Sequence, residues 1–184
     1  LLYFIREIKD RGLVTSVKDF PVYVDSPLAK KATTIFCGDL RGYLDEEALA
    51  LVQDGTHMFN FPGLHLTETV EESKLLNMDK TPKVIISASG MCDAGRIRHH
   101  LKHNLWIAEN IILIAGYQSK GTLGRALLDG VKEVRLFGED IAVNAEIAVL
   151  HGTSGHADQK GLSIGSRHLQ KSRRRFSSTT AIPR

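Results

Sequence analysis

The sequence predicts an α/β fold in which a parallel sheet flanked by helices is followed by an antiparallel hairpin. Two near-continuous apolar runs, Lys83–Ser87 and Asn110–Ala115, have the composition of buried parallel strands. Helical segments alternate with the strands, which is the order expected of a sheet with helices on both faces. From Glu133 the apolar residues alternate instead, so we place a domain boundary near Lys132.

Signals for helices and strands follow one another before that boundary. Leu1–Arg11 is predicted as an amphipathic helix ended by Gly12. Pro21–Val24 is predicted as a short strand because Val-Tyr-Val favours β-structure. Thr69–Glu72 matches a capping box, which predicts a helix through about Asn77. The other predicted elements are the helices Ala29–Cys37, Glu46–Val52, Gly95–Leu105 and Thr122–Leu128, the last stopped by Gly130, and the strand Leu64–Thr67.

The chain beyond the boundary divides into a hairpin and a tail. Val134–Phe137 and Ile141–Leu150 alternate around Gly138-Glu139-Asp140, which predicts antiparallel strands. Residues 163–184 are Ser, Thr and Arg with little apolar periodicity, and we expect them to be disordered. Residues 161–184 carry a net charge of +6, whereas residues 1–160 hold 18 Lys and Arg against 21 acids. The body therefore lacks a bulk field for polyphosphate, and any RNA binding by it must come from local arrangement.

Composition places the chain among ordinary globular proteins. No apolar run approaches the roughly 20 residues of a membrane span, and no signal peptide is recognisable. Cys37 and Cys92 are too few for a disulfide framework, so we expect a reducing, cytoplasmic location. The chain begins at Leu1 and not at Met, which leads us to expect a missing upstream part.

Two glycine-rich segments follow the two apolar strands. In Ser87–Arg96, glycines let the backbone approach a phosphate, and Ser87 and Ser89 add hydroxyl donors near a helix start. In Gly116–Arg125, Lys120 and Arg125 offer positive charge. Ligands of open α/β sheets bind beyond the carboxyl ends of the strands, so both segments are predicted at one edge. Tight structural turns are the alternative for both.

Other candidate residues have both a functional and a purely structural interpretation, and both stay open. His99 and His103 have the spacing of a zinc pair, but a solvated or RNA-facing helix surface is the better interpretation. His156, between Gly155 and Asp158, suits proton transfer or helix capping. Two further residues have structural interpretations: Asp25 is a cap for the following helix, because proline suits a first helical turn, and Cys92 is a small buried residue rather than a thiol of lowered pKa.

Taken in order, four segments resemble the β-CASP ribonucleases, a family that includes ribonuclease J and the endonuclease of pre-mRNA cleavage. The resemblance covers residues 1 to about 160. The matching segments are Val22–Ala29, Ser89–Met91 with Gly95–Ile97 and His99–Leu101, Ala115–Gln118 with Gly121–Gly124, and Ser154–Asp158.

The resemblance implies a domain organisation. Residues 1–132 would form a Rossmann-like β-CASP domain, and residues 133–162 would return to an incomplete metallo-β-lactamase αββα fold or RNA-specificity segment. Residues 163–184 depart from the family pattern. RNA would lie in the cleft between the two folds, and a homo-oligomer of the full-length enzyme stays open.

The resemblance also implies a chemistry: zinc-dependent hydrolysis of RNA phosphodiester bonds, with two zinc ions activating water. The family's His-x-His-x-Asp-His ligand motif is absent from this sequence, so we expect no metal ligands within the chain and no activity from it alone. His156 would donate a proton to the leaving group or stabilise the transition state. The alternative is a nucleic-acid-binding module without catalysis. We expect RNA or phosphate contacts at Ser87, Ser89, Gly90, Met91, Gly95, Arg96, His100, Tyr117, Gln118, Lys120, Gly121 and Thr122.

Overall fold

A computed structural model describes residues 1–17, 19–36, 38, 42–44, 46–53, 59–152 and 163. Helices and strands alternate along residues 1–128, except that two helices follow the first strand, as the sequence predicts. The strands are β1 (Val22–Asp25), β2 (Leu64–Leu66), β3 (Val84–Ser87), β4 (Ile111–Ile114), β5 (Glu133–Leu136), β6 (Glu139–Ala142) and β7 (Glu146–Val149). The helices are α1 (Leu2–Asp10), α2 (Pro27–Phe36), α3 (Glu46–Gln53), α4 (Val70–Met78), α5 (Ile97–Asn104) and α6 (Leu123–Leu128).

The described strands form three hydrogen-bonded groups. β1 is the central strand of a parallel sheet with the order β2-β1-β3, and Val22 lies opposite both Leu64 and Val84. β4 pairs in parallel with β7, and β5 pairs antiparallel with β6. The predicted class, a parallel sheet with helices, is confirmed. The hairpin is shorter than predicted because its second strand ends at Ala142; Glu146–Val149 pairs with β4 instead.

Local signals account for the helix ends. Thr69 and Glu72 make both hydrogen bonds of the predicted capping box: the Glu72 N–H donates to Thr69 Oγ1 at 3.1 Å and the Thr69 N–H to Glu72 Oε2 at 2.9 Å. Gly12, with φ of +59°, follows α1 in the left-handed conformation that glycine adopts at no steric cost.

The prediction that Asp25 caps the following helix is wrong. α2 begins at Pro27, two residues earlier than predicted, because the ring of proline suits a first helical turn. Ser26 is the residue that caps it, since its Oγ accepts the Ala29 N–H at 3.3 Å. The Asp25 side chain is 0% exposed and makes its hydrogen bonds inside the fold instead.

Burial of the two apolar strands is incomplete. Side chains of β3 are all half-buried, and Ile111 and Leu113 of β4 are 61% and 50% exposed. The expectation of strands buried on both faces is therefore wrong for β4, because no described element covers the face that these two side chains share.

Two clusters of buried apolar side chains stabilise the described part of the chain. The smaller joins α1 to the parallel sheet through Ile5, Val22 and Phe61. The larger contains Cys92, Leu101, Leu105, Ile114, Leu127, Val134 and Leu136. Burial, followed by the charge of Asp93, raises the pKa of the Cys92 thiol, so the buried structural interpretation is confirmed and a lowered pKa is wrong. No helix in the described ranges is long and apolar enough to cross a membrane.

Candidate nucleic-acid interface

Two loops extend from the carboxyl ends of β3 and β4, and the structure brings them together. We call Ser87–Arg96 the first glycine loop and Gly116–Thr122 the second glycine loop. The Gln118 side chain joins them, because its Nε2 donates to the Gly90 carbonyl at 2.8 Å and to the Gly116 carbonyl at 3.1 Å. The Gly124 N–H, at the start of α6, donates to the Met91 carbonyl at 3.0 Å. The predicted meeting of the two segments is thus present, although their strands belong to different hydrogen-bonded groups.

Close packing explains two of the glycines. A Cβ at Gly124 would overlap the Gln118 carboxamide, and a Cβ at Gly95 would overlap the Ala88 carbonyl. Gly95 also has φ of +79°, where side chains are unfavourable. Gly90, in contrast, is exposed and has open space around its Cα, so a ligand can approach the backbone there.

The carboxylate of Asp93 makes a contact that the sequence analysis missed. Its Oδ1 accepts the Leu123 N–H at 2.9 Å, so an acidic side chain of the first glycine loop occupies the start of α6. Thr122 serves the same helix: its Oγ1 accepts the Arg125 N–H at 3.2 Å and donates to the Ser119 carbonyl at 2.7 Å. The start of α6 is therefore satisfied from within the protein and is not an open anion site.

Free backbone donors lie instead at the tip of the first glycine loop. The Ser89 N–H donates to the Ala94 carbonyl and the Cys92 N–H to the Ser89 carbonyl, each at 3.0 Å. In the part of the chain that the structure describes, the N–H groups of Gly90 and Met91 have no acceptor. Adjacent free N–H groups beside an exposed glycine are suited to an anionic oxygen.

A buried carboxylate holds the base of the first glycine loop. Asp25 Oδ1 accepts a hydrogen bond from Arg96 Nη1 at 2.6 Å, and its Oδ2 accepts one from Ser73 Oγ at 2.6 Å. Oδ2 also lies 2.6 Å from His100 Nε2. The Asp25 carbonyl accepts the Ser87 hydroxyl at 3.1 Å, so residues at both ends of the loop are bound to the same aspartate.

Orientation of the His100 ring is fixed by a chain of amides. Asn104 Nδ2 donates to the His100 carbonyl at 2.8 Å, which requires that nitrogen to be a donor. The same nitrogen lies 3.2 Å from Asn77 Oδ1, which in turn lies 2.9 Å from His100 Nδ1. Both ring nitrogens therefore face acceptors, and a neutral ring serves only one of them.

Electrostatics of this pair are set by burial and by hydrogen bonds. Burial raises the pKa of the Asp25 carboxyl, but the hydrogen bonds that it accepts outweigh burial and hold the pKa below its ordinary value. For His100, burial is the larger influence and lowers the pKa, while the hydrogen bond and charge of Asp25 oppose it. Asp25 is thus an ionised group inside the fold, and Arg96 is its fixed counter-charge.

The predicted contact residues divide into an interior and a surface set. The interior set holds the loops: Ser87 and Arg96 are bound to Asp25, His100 is 5% exposed, and Gln118 is 3% exposed. Gly95 and Thr122 shape the turns, and Met91 is half-buried. Solvent reaches the exposed Gly90, Tyr117, Lys120 and Gly121 and the half-buried Ser89. A direct contact of His100 with RNA stays a prediction, but both of its ring nitrogens already have partners inside the fold.

Other candidates lie outside this surface. His156, with the rest of Ser154–Asp158, lies outside the described residues, as do Cys37 and residues 164–184. The His99 ring stacks on Phe137 with centroids 4.4 Å apart. Within the ranges that the structure describes, no three His, Cys, Asp or Glu side chains form a group that could hold a metal ion. The described residues therefore do not fit a zinc centre.

Parallel strands that end in two joined glycine loops define an α/β domain with a candidate ligand edge. The family model of the Beta-Casp domain matches residues 1–127. The chain belongs to the β-CASP family.

Curated relatives agree with this assignment. Over 142 residues the chain is 39% identical to ribonuclease TTHA0252 of Thermus thermophilus, which covers 77% of the chain and 33% of the relative. Over 171 residues it is 29% identical to transcription termination factor FttA of Methanocaldococcus jannaschii, with 90% and 27% covered. An RNase J-like protein of the same organism is 29% identical over 146 residues, with 79% and 32% covered. The chain thus spans about a third or less of the length of these relatives.

Proposed function

We propose that this chain is the RNA-holding part of a nuclease that hydrolyses phosphodiester bonds in RNA. The observation that carries the proposal is the joining of the two glycine loops by Gln118 into one surface. The names of two relatives, a ribonuclease and an RNase J-like protein, support the substrate and the reaction. The transcription termination factors among the relatives also suit an RNA partner.

The surface residues of both loops would contact the RNA backbone. The N–H groups of Gly90 and Met91, which have no acceptor among the described residues, suit a phosphate oxygen, and the exposed ammonium group of Lys120 adds a positive charge. Arg96 and His100 act from behind the surface, because their polar groups hold Asp25 and thereby the first glycine loop.

Catalysis would need groups outside the described residues. We propose that the complete enzyme is zinc-dependent, that its metal ligands lie outside this chain, and that residues 133–162 belong to an incomplete metallo-β-lactamase fold. His156 would move a proton to the leaving group, a contribution typically worth about 10²–10⁴-fold in rate. Residues 1–132 would be the β-CASP domain and residues 163–184 a tail without family features. A cytoplasmic location and homo-oligomers of the complete enzyme belong to the same proposal.

Two measurements test this function. The 184-residue chain is expected to bind single-stranded RNA without cleaving it and to retain little zinc after dialysis. In a longer protein that contains this segment, His156→Ala is expected to lower single-turnover cleavage while RNA affinity stays unchanged. Cleavage at the parent rate with weakened binding would reverse these roles.

A non-catalytic RNA-binding module is the alternative function. The names of the relatives that are transcription termination factors, which state no nuclease activity, favour it. A longer protein that carries the complete metal-ligand motif and yet cleaves no RNA would establish this alternative.

A further inference from the structure

We propose that Tyr117 is a platform on which one unpaired base of a single-stranded RNA stacks, beside the N–H groups that hold a phosphate. The inference rests on the proposed function and goes beyond it, since it names the strandedness of the ligand and the role of one side chain. A phosphate contact and a base contact on neighbouring groups would together bind a nucleotide without reading its sequence.

Tyr117 combines an exposed ring with a fixed backbone. Its side chain is 76% exposed, whereas the next residue, Gln118, is 3% exposed. Single exposed aromatic residues are common, so exposure alone decides nothing. Here the Gly116 carbonyl, immediately before Tyr117, and the Gln118 amide, immediately after it, are hydrogen-bonded to each other at 3.1 Å. The backbone that carries the ring is therefore fixed by a hydrogen bond, which lowers the conformational entropy lost when a ligand binds.

The turn that carries Tyr117 is hydrogen-bonded to the loop that carries the proposed phosphate contact. The Gln118 amide that donates to Gly116 donates as well to the Gly90 carbonyl at 2.8 Å. Gly90 is one of the two residues whose N–H groups have no acceptor in the described part of the chain. Lys120 follows three residues after Tyr117 and is exposed. Donor, cation and aromatic ring thus belong to one surface that Gln118 holds together.

Chemistry selects an unpaired base as the occupant. Every base has a flat π-face that can stack on an aromatic ring, but in a duplex that face is already covered by the neighbouring bases. Stacking on tyrosine therefore requires a single strand or a base splayed out of a loop. The same arrangement is expected to discriminate weakly between bases, because every base has a flat face that can stack on an aromatic ring.

The first test compares RNA affinities of variants of the 184-residue chain by fluorescence anisotropy with a labelled single-stranded oligonucleotide. Tyr117→Ala is expected to weaken binding about 5- to 150-fold, the range that corresponds to loss of one base–aromatic stack. Tyr117→Phe should keep the parent affinity, because the ring is retained. Tyr43, which is 86% exposed in another segment, provides the control, and Tyr43→Ala should bind like the parent. Thermal unfolding of each variant establishes that the fold is intact.

The second test removes the base instead of the ring. A series of oligonucleotides with one abasic position moved along the strand should contain a position at which the parent loses affinity and Tyr117→Ala loses nothing further. A blunt RNA duplex of the same sequence should bind the parent and Tyr117→Ala equally.

The outcomes separate this inference from the proposed function. If the parent binds no RNA, the proposed function fails and the inference fails with it. If Ser89→Ala and Lys120→Ala weaken binding while Tyr117→Ala matches Tyr43→Ala, the loops hold RNA but the stacking role is wrong. An abasic series in which the effects of ring and base simply add would also overturn the stacking role.

Discussion

Removing the Asp25 carboxylate should destabilise the fold more than removing any exposed carboxylate. Asp25 is fully buried at the end of β1, where it accepts hydrogen bonds from Arg96 and Ser73 and contacts His100. Asp25→Ala deletes all three contacts and leaves the Arg96 guanidinium, whose side chain is 18% exposed, without its counter-charge.

The magnitude follows from breaking a buried ion pair by removing one partner, which costs about 3–5 kcal/mol. That loss is a large part of the roughly 5–15 kcal/mol that stabilises a typical domain, so the alanine variant is expected to be partly unfolded at 37 °C. Asp25→Asn keeps the volume and one acceptor oxygen for Arg96, and its unfolding free energy should fall between those of the parent and the alanine variant.

Urea unfolding followed by circular dichroism at pH 7 measures the effect. Asp129 supplies the matched control, because its carboxylate also accepts from an arginine, Arg125, at 2.9 Å but is 54% exposed. Asp129→Asn is expected to leave the urea midpoint close to that of the parent. An Asp25→Ala variant that unfolds at the same urea concentration as Asp129→Asn would refute the reasoning that Asp25 holds the fold together.

Three further predictions concern the glycine loops and the histidine behind them. Gly124→Ala should lower the unfolding free energy by about 1–3 kcal/mol, because its Cβ would overlap the Gln118 carboxamide. Gly116→Ala, whose Cβ would meet open space, is the control. Equal urea midpoints of the two variants would contradict the close packing at Gly124. Gln118→Ala should accelerate hydrogen exchange of backbone amides in the first glycine loop, because it removes the hydrogen bonds that join the two loops. Unchanged exchange would show that the Gln118 amide does not hold the loops together. Burial lowers the pKa of His100 in the fold, so the unfolded chain takes up a proton at this residue at higher pH than the folded chain does. The contribution of His100 to stability is therefore present above about pH 6.5 and is lost as the pH falls below that value. His100→Gln should therefore flatten the change of urea midpoint between pH 7.5 and 5.5, and a parent whose midpoint rises on acidification would contradict the sign.

Local patterns predicted much of the fold because they depend on neighbouring residues. The Thr69 and Glu72 capping box and the glycine stop after α1 act within a few residues, and both are present as predicted. The pairing of β7 with β4 was missed because alternating apolar residues indicate a strand without identifying its partner. Exposure of Ile111 and Leu113 likewise depends on what covers β4, which the composition of the strand does not contain.

The candidate site was predicted in outline but not in its inner contacts. Glycine-rich segments after apolar strands pointed to the two loops, since the carboxyl ends of parallel strands are where ligands bind. The role of Asp25 depends on Ser73 and Arg96, which are 48 and 71 residues away in the chain, so no spacing rule reveals it. The sequence does contain one signal for the role of Asp25, which is its position after Val22 and Val24 of β1. Both valines are buried, and a carboxylate at the end of such a strand needs hydrogen-bonding partners.

RNA affinity measured across a salt series tests the central claim, that the two glycine loops hold RNA, most directly. The parent chain is expected to bind single-stranded RNA with an affinity that falls as salt rises. Lys120→Ala should weaken binding and flatten the log–log slope by roughly 0.7, the value for one phosphate contact on a single strand. Ser89→Ala should weaken binding without changing the slope, because a hydroxyl group releases no counter-ion. If Lys120→Ala and Ser89→Ala each keep the affinity and the salt slope of the parent, the two glycine loops do not hold RNA and the RNA-binding surface lies elsewhere.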